Sequence, residues 1–296
     1  MDNLTHSLVG ALLGQAGLKR RTGLAMPALI LGANLPDVDA TCTLYGIESL
    51  AMRRGLTHGP IAWVALPLVL AAILWGLDRW QAKRGKRPES RPPVQFGWLC
   101  ALAFIACLTH PALDWLNSYG IRLLEPFSHR WFYGDALFIV DVWLWVGLGL
   151  ATWRSLKLER RGRHFEGIAR VALLALVAYV TANLAITEVH ERSDPSMEVD
   201  IAQPVPAAFW NRQALVREEA GIWLVDGRRY GAVPLGHCDL VATRQRDPAA
   251  AAFLFWSRAP FVERAPSGGW LLRDARFAGS AGARFSVALP ASACRP

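Results

Sequence analysis

No CxxC pair occurs among the five cysteines of this chain. That argues against a zinc ribbon, which closes on two such pairs. Internal repeats and low-complexity tracts are also missing, so a solenoid is not expected. No ordinary secretory signal is visible. Met1-Asp2-Asn3 has no positive n-region, and no small-residue cleavage site follows the apolar stretch 4–18. The N-terminus is therefore expected to stay, and His6 with it. Acidic residues are in deficit: 24 Asp and Glu face 32 Lys and Arg, for a net charge of +8.

A basic chain suggests nucleic acid as a partner, but the placement of the charges argues against it. Arg79, Lys83, Arg84, Lys86, Arg87 and Arg91 crowd one linker; Arg154, Lys157, Arg160, Arg161 and Arg163 crowd another. Long apolar runs flank both, which is the positive-inside pattern of a multi-pass membrane protein. The chain is also too long for one small domain. Cys42, Cys100 and Cys107 lie in or near apolar segments, where a thiol behaves as a small hydrophobe. Cys238 and Cys294 lie in the polar C-terminal part and could pair if it is extracytoplasmic.

Read in order, 4–18 is apolar, and Gly10 and Gly14 form a small-xxx-small pair that lets another helix approach. Residues 24–36 form a second short apolar piece. Both fall below the ~20 residues that span a bilayer. Residues 40–54 read as a mixed loop, and 60–77 as a membrane helix with Thr57 or His58 as its cap and Pro60 in its first turn. Residues 96–116 are a span whose last third turns polar. The loop 117–135 is rich in aromatic residues, as an interfacial belt is. Residues 137–152 form a span carrying Asp141, and 168–187 the last span. Beyond 189, strands are expected at 197–201, 214–218, 222–225, 270–273 and 284–289, with a helix at 248–256.

The expected fold is a membrane all-α helical bundle, with about four long spans and two short N-terminal helices, over residues 1–188. A small soluble extracytoplasmic α+β domain follows over 189–296. The basic linkers should be cytoplasmic, in a multi-pass protein of a bacterial inner membrane. Threading the chain accordingly puts both termini outside. It also gathers His6, Asp37, Asp39, His58, His110 and Asp114 at one outer end.

Singly, each of these residues has an ordinary role. Asp37 after Pro36 suits a turn, His58 a helix cap, and Asp114 a helix-end carboxylate bonded to Trp115 or Asn117. His110 precedes Pro111, which pushes it away from helical geometry and weakens the one-turn pairing with Asp114. Jointly they point further. Ionisable groups at a bilayer edge need a partner, an ion or water. Three His with two or three Asp match the N/O ligand set of zinc. One or two such ions, with a bridging carboxylate, can activate water and stabilise developing negative charge in phosphoester hydrolysis. Asp39 is the candidate catalytic residue, orienting the ligands or acting as general base. His129, Asp135 and Asp141 form a second rank.

The series Thr5-His6-Ser7-Leu8-Val9-Gly10, Leu31-Gly32-Ala33-Asn34-Leu35-Pro36-Asp37-Val38-Asp39, Arg53-Arg54-Gly55-Leu56-Thr57-His58 and Thr109-His110-Pro111-Ala112-Leu113-Asp114 resembles the inner-membrane metal-dependent hydrolases of the YdjM/YbcI type. The likeness covers most of residues 1–190, including the stretch Gly134-Asp135-Ala136-Leu137-Phe138-Ile139-Val140-Asp141. A more distant likeness is to zinc-dependent phospholipase C and the S1/P1 nucleases. It implies that Asp37, His58, His110 and Asp114 hold one ion and that His6 and Asp114 help to hold a second. Those enzymes carry a further His-rich segment, where this chain offers only His129, with Asp135 and Asp141 as substitutes. They also use a mature N-terminal amine, for which Met1 offers no clear equivalent. A lipid or phosphoester substrate drawn from the membrane is then expected. The rival from another class is a non-catalytic scaffold with a structural metal and a soluble tail that binds a protein partner. A transporter would need polar residues at mid-membrane, whereas these gather at one end.

Overall fold

A computed structural model of the chain describes residues 1–192, 199–266, 268–279 and 285–295. They fall into two units, one of residues 1–38 and 54–184, the other of 39–53 and 185–296. The segment 39–53, read above as a loop of the membrane part, thus packs with the tail.

In the first unit α1 (Asn3–Gln15) starts at Asp2, whose carboxylate accepts the Leu4 and Thr5 N–H groups at 2.9 and 3.1 Å. The short helix α2 (Ala25–Asn34) lies against α1. Gly10 permits this: a Cβ there would meet the Leu29 carbonyl oxygen at 2.6 Å. Gly32 similarly lets α2 approach α5 (Phe96–Trp115), since a Cβ would lie 3.0 Å from the Ala103 oxygen. The helix α4 (Pro60–Lys83) completes this layer, and Ala28, Leu29, Leu70, Leu99 and Leu102 are buried in its core. Its cap is Gly59, with no side-chain bond, rather than Thr57 or His58.

Among the described residues, three helices are long and apolar enough to cross a membrane: α4, α5 and α7 (Glu166–Arg192). The expected fourth run becomes α6 (Val142–Arg160), shifted towards the C-terminus. Asp141 sits at its N-cap instead of inside a span, accepting the Trp143 and Leu144 N–H groups at 2.9 and 3.0 Å. The last turns of α6 carry Arg154, Lys157, Glu159 and Arg160, and it does not join the three long apolar helices.

Pro111 does not break α5. It removes the N–H that would bond the Cys107 carbonyl and crowds that turn. The helix persists because both halves are pinned by packing, Ala103 and Ala106 on one side and Leu113 on the other, all buried.

The second unit contains two antiparallel sheets. One has the order β1 (Ile201–Val205), β2 (Ala208–Glu219), β3 (Ile222–Val225), β4 (Arg228–Tyr230). The other has β5 (Pro260–Arg264), β6 (Trp270–Asp274), β7 (Ser286–Leu289). Two helices, α8 (Leu240–Arg246) and α9 (Pro248–Trp256), lie between them in sequence, and α3 (Ser49–Met52) packs on α9. Residues 197–198 and 284 of the expected strands lie outside the described residues. The strand β5 went unexpected because Pro260 opens it; such a proline is tolerated on an edge strand, which β5 is. Cys238 and Cys294 form a disulfide.

Asp274 anchors this unit from a buried position. It accepts the Arg276 guanidinium at 2.9 and 2.8 Å and the backbone N–H groups of Arg258 and Arg276 at 3.1 and 2.9 Å. Burial pushes its pKa up, but Arg276 and these bonds outweigh that and hold it below the usual carboxylate range. The resulting stability is present above about pH 4 and is lost as pH falls through the carboxylate range. Asp274→Asn leaves Arg276 buried without its counter-charge and should cost about 3–5 kcal/mol. Denaturation of the full chain with tryptophan fluorescence as the readout measures this. The mutant should also show a shallower loss of stability on acidification.

Candidate metal centre

Three stretches bring four ligand groups together. Asp37 stands on the 3-10 segment after α2, His58 ends the turn before α4, and His110 and Asp114 lie one turn apart on α5. One ligand atom from each lies within 4.8 Å of all the others. His58, His110 and Asp114 are fully buried.

Hydrogen bonds aim the imidazoles. His110 Nδ1 donates to the Ala33 carbonyl at 2.7 Å, which leaves Nε2 as the lone-pair atom facing the group. His58 Nδ1 lies 2.9 Å from Thr57 Oγ1, and the Trp63 indole donates to the His58 carbonyl at 2.7 Å. Such outer bonds fix ring orientation at metal sites.

The spacing suits an ion. His58 Nε2 to Asp114 Oδ2, His110 Nε2 to Asp37 Oδ1 and His110 Nε2 to Asp114 Oδ2 are each 3.6 Å. Ligands on a tetrahedral zinc with bonds of 2.0–2.2 Å stand about 3.4 Å apart. A distance of 3.6 Å is also too long for a hydrogen bond. The buried His110 Nε2 accordingly has no hydrogen-bond partner, which is rare for an interior polar atom. Asp37 supplies a carboxylate. Its Oδ1 lies 3.6 Å from His110 Nε2.

Asp114 is the hub. Its other oxygen, Oδ1, lies 3.3 Å from His6 Nε2 and contacts the Met1 amine. His6, on α1, stacks on His110 with ring centroids 3.8 Å apart. The expectation that Met1 offers no N-terminal amine to the site is corrected: Asp2 caps α1 and also accepts the Trp145 indole at 3.0 Å, which seats Met1 among buried residues.

Arg54 went unread. Its Nε lies 3.0 Å from Asp114 Oδ2, its Nη1 donates to Asn117 Oδ1 at 2.8 Å, and its guanidinium lies over the Tyr119 ring. The available signal was an arginine four residues before His58 in an outer loop poor in base; charge counting alone treats such a residue as a topology marker.

The remaining candidates are not brought into this group. Asp39 is buried but belongs to the second unit. His129 is largely exposed and pairs with Glu125 at 2.8 Å. Asp135 is buried in a left-handed turn with φ 47°. Asp141 caps α6 and accepts the Tyr179 hydroxyl at 2.9 Å.

The sequence matches the model of the YdjM inner membrane protein family over residues 1–189, and the chain belongs to that family. With the three apolar helices, this makes it an inner membrane protein. It is also similar to YfhP of Bacillus subtilis (strain 168), a protein described as uncharacterized. The two are 23% identical over 286 residues, covering 87% of this chain and 80% of that protein. No solved structure matches.

Proposed function

We propose that this chain is an integral-membrane, metal-dependent hydrolase acting on a phosphoester at the outer face of the inner membrane. The observation that carries the reading is the grouping of Asp37, His58, His110 and Asp114, whose ligand atoms lie within 4.8 Å of one another. Zinc is the ion such a two-imidazole, two-carboxylate set favours. When bound, it supplies Lewis acidity and lowers the pKa of water. The chain's own residues do the rest. His58 and His110 present their Nε2 atoms, Asp37 and Asp114 supply balancing charge, and Arg54 holds Asp114 in place.

A specific feature favours the rival. Four protein ligands close a tetrahedral set, as in structural zinc sites, whereas catalytic sites keep an open position. A scaffold with a protein-binding tail would need no more. The hydrolase reading answers with the second oxygen of Asp114, where His6 and the Met1 amine offer too few protein ligands to close another ion's shell.

The test is turnover. Detergent-purified protein, loaded with zinc, should hydrolyse a soluble phosphodiester or a phospholipid, and chelation should abolish the activity. Stoichiometric metal with no turnover of either substrate would select the scaffold.

Both termini are proposed to lie outside. The Cys238–Cys294 disulfide supports this, since disulfides persist in oxidising compartments. A C-terminal alkaline phosphatase fusion should therefore be active, and a cytoplasmically silent one would reverse the topology.

A further inference from the structure

The loop after α5 carries a chemistry that the metal ligands do not use. Its turn is closed by the Phe127 N–H donating to the Leu124 carbonyl at 2.8 Å. The turn exposes Leu124, Pro126 and Phe127, the last at 76%. It buries Glu125 instead, against Arg122 at 2.6 Å. This is inside out for a water-facing turn, where the carboxylate would be exposed and the phenyl ring covered. His129 and Arg130 follow, both exposed.

The loop is fixed beside the site. The Arg122 N–H donates to the Arg54 carbonyl at 2.9 Å. A Cβ on Gly55 would meet Arg122 Nη2 at 2.5 Å, and one on Gly59 would meet the Glu125 carbonyl at 2.0 Å. The turn therefore runs along the segment 54–59 that ends in His58 and Gly59. On that segment and just beyond it, Leu56 and Ile61 are exposed as well.

Gly59 is also the N-cap of α4, a membrane-crossing helix of 24 residues. At 1.5 Å per residue α4 is about 36 Å long, against a hydrocarbon core of about 30 Å. Its first turn thus lies at the boundary between acyl chains and headgroups. Apolar side chains there, followed by a cation, are the composition of an interfacial anchor.

We infer that the 124–127 turn is set into the outer leaflet and that the metal centre takes its substrate from it. The substrate class is a phospholipid whose acyl chains rest on Leu56, Ile61, Leu124 and Phe127 while its headgroup ester reaches the group around His58 and Asp114. The substrate assignment rests on the hydrolase reading; the seating of the turn in lipid does not.

Two measurements test it. In a Cys42→Ser, Cys100→Ser, Cys107→Ser background, Phe127→Cys is labelled with an environment-sensitive dye in phospholipid nanodiscs, with Glu218→Cys on β2 as the control. Nitroxide-labelled phospholipid should quench the dye at 127 several-fold more than at 218. Equal quenching overturns the seating. A blue-shifted but unquenched dye also overturns it, because the turn is then buried in protein. Second, Leu124→Glu with Phe127→Glu should lower the ratio of phospholipid to soluble-diester turnover about tenfold or more, given what burial of two such side chains contributes. An unchanged ratio overturns the substrate class while leaving the hydrolase reading intact. A wild type that holds metal and turns over neither substrate overturns both.

Discussion

Asp114→Ala should empty the metal centre. Bound zinc in detergent-purified protein, measured by elemental analysis, is expected to fall to background, with His110→Ala close behind. Asp114 is exceptional because both of its oxygens are committed. Oδ2 faces His58 and His110 at 3.6 Å, and Oδ1 faces His6 at 3.3 Å. Losing an outer hydrogen-bond partner of a metal ligand typically weakens binding about 10–100-fold, and losing the shared carboxylate should exceed that. Asp141→Asn is the control. Its carboxylate serves Trp143, Leu144 and Tyr179, so metal content should hold while stability falls. Full metal occupancy in both Asp114→Ala and His110→Ala would sink the site.

Arg54→Ala should produce a large loss of stability, and metal should repair much of it. The Arg54 side chain is 4% exposed, and its charge faces a fully buried Asp114. Deleting one member of such a pair costs about 3–5 kcal/mol, because the other charge is left buried and uncompensated. A divalent cation restores positive charge beside the same carboxylate. At a free concentration of 1,000 times Kd, binding adds about 4.1 kcal/mol to the folded state. Thermal unfolding should therefore show a large deficit in metal-free Arg54→Ala and a much smaller one in zinc. Arg54→Lys should lie nearer to alanine than to wild type, since an ammonium cannot reach Asp114 and Asn117 with the fixed fork of a guanidinium. A deficit that zinc leaves unchanged would assign Arg54 to packing on Tyr119 instead.

What could be read along the chain was what depends on near neighbours in it. The His110–Asp114 spacing placed both on one face of α5. The run 60–77 announced α4, residues 222–225 and 248–256 matched β3 and α9, and Gly10 announced the close crossing with α2. Local reading failed where a distant group won. The pre-proline rule pushed His110 away from helical geometry and weakened its pairing with Asp114, and packing on both sides of Pro111 overrode it. Hydropathy drew Asp141 into a span, and its bonds to Trp143, Leu144 and Tyr179 made it a cap.

The sequence by itself determined a bundle of apolar helices with a polar tail and its basic linkers, and a set of His and Asp residues fit for a metal. Periodicity and charge are carried by consecutive residues, so both survive without a fold. Only the tertiary structure decided which of those residues meet. Asp37 and His58 reach α5 because Gly32 lets α2 lie against it and because α4 begins beside the end of α5. Arg54 and the Met1 amine arrive at Asp114 from 60 and 113 positions away. Contacts across such separations are made by packing, which no local pattern in the chain records.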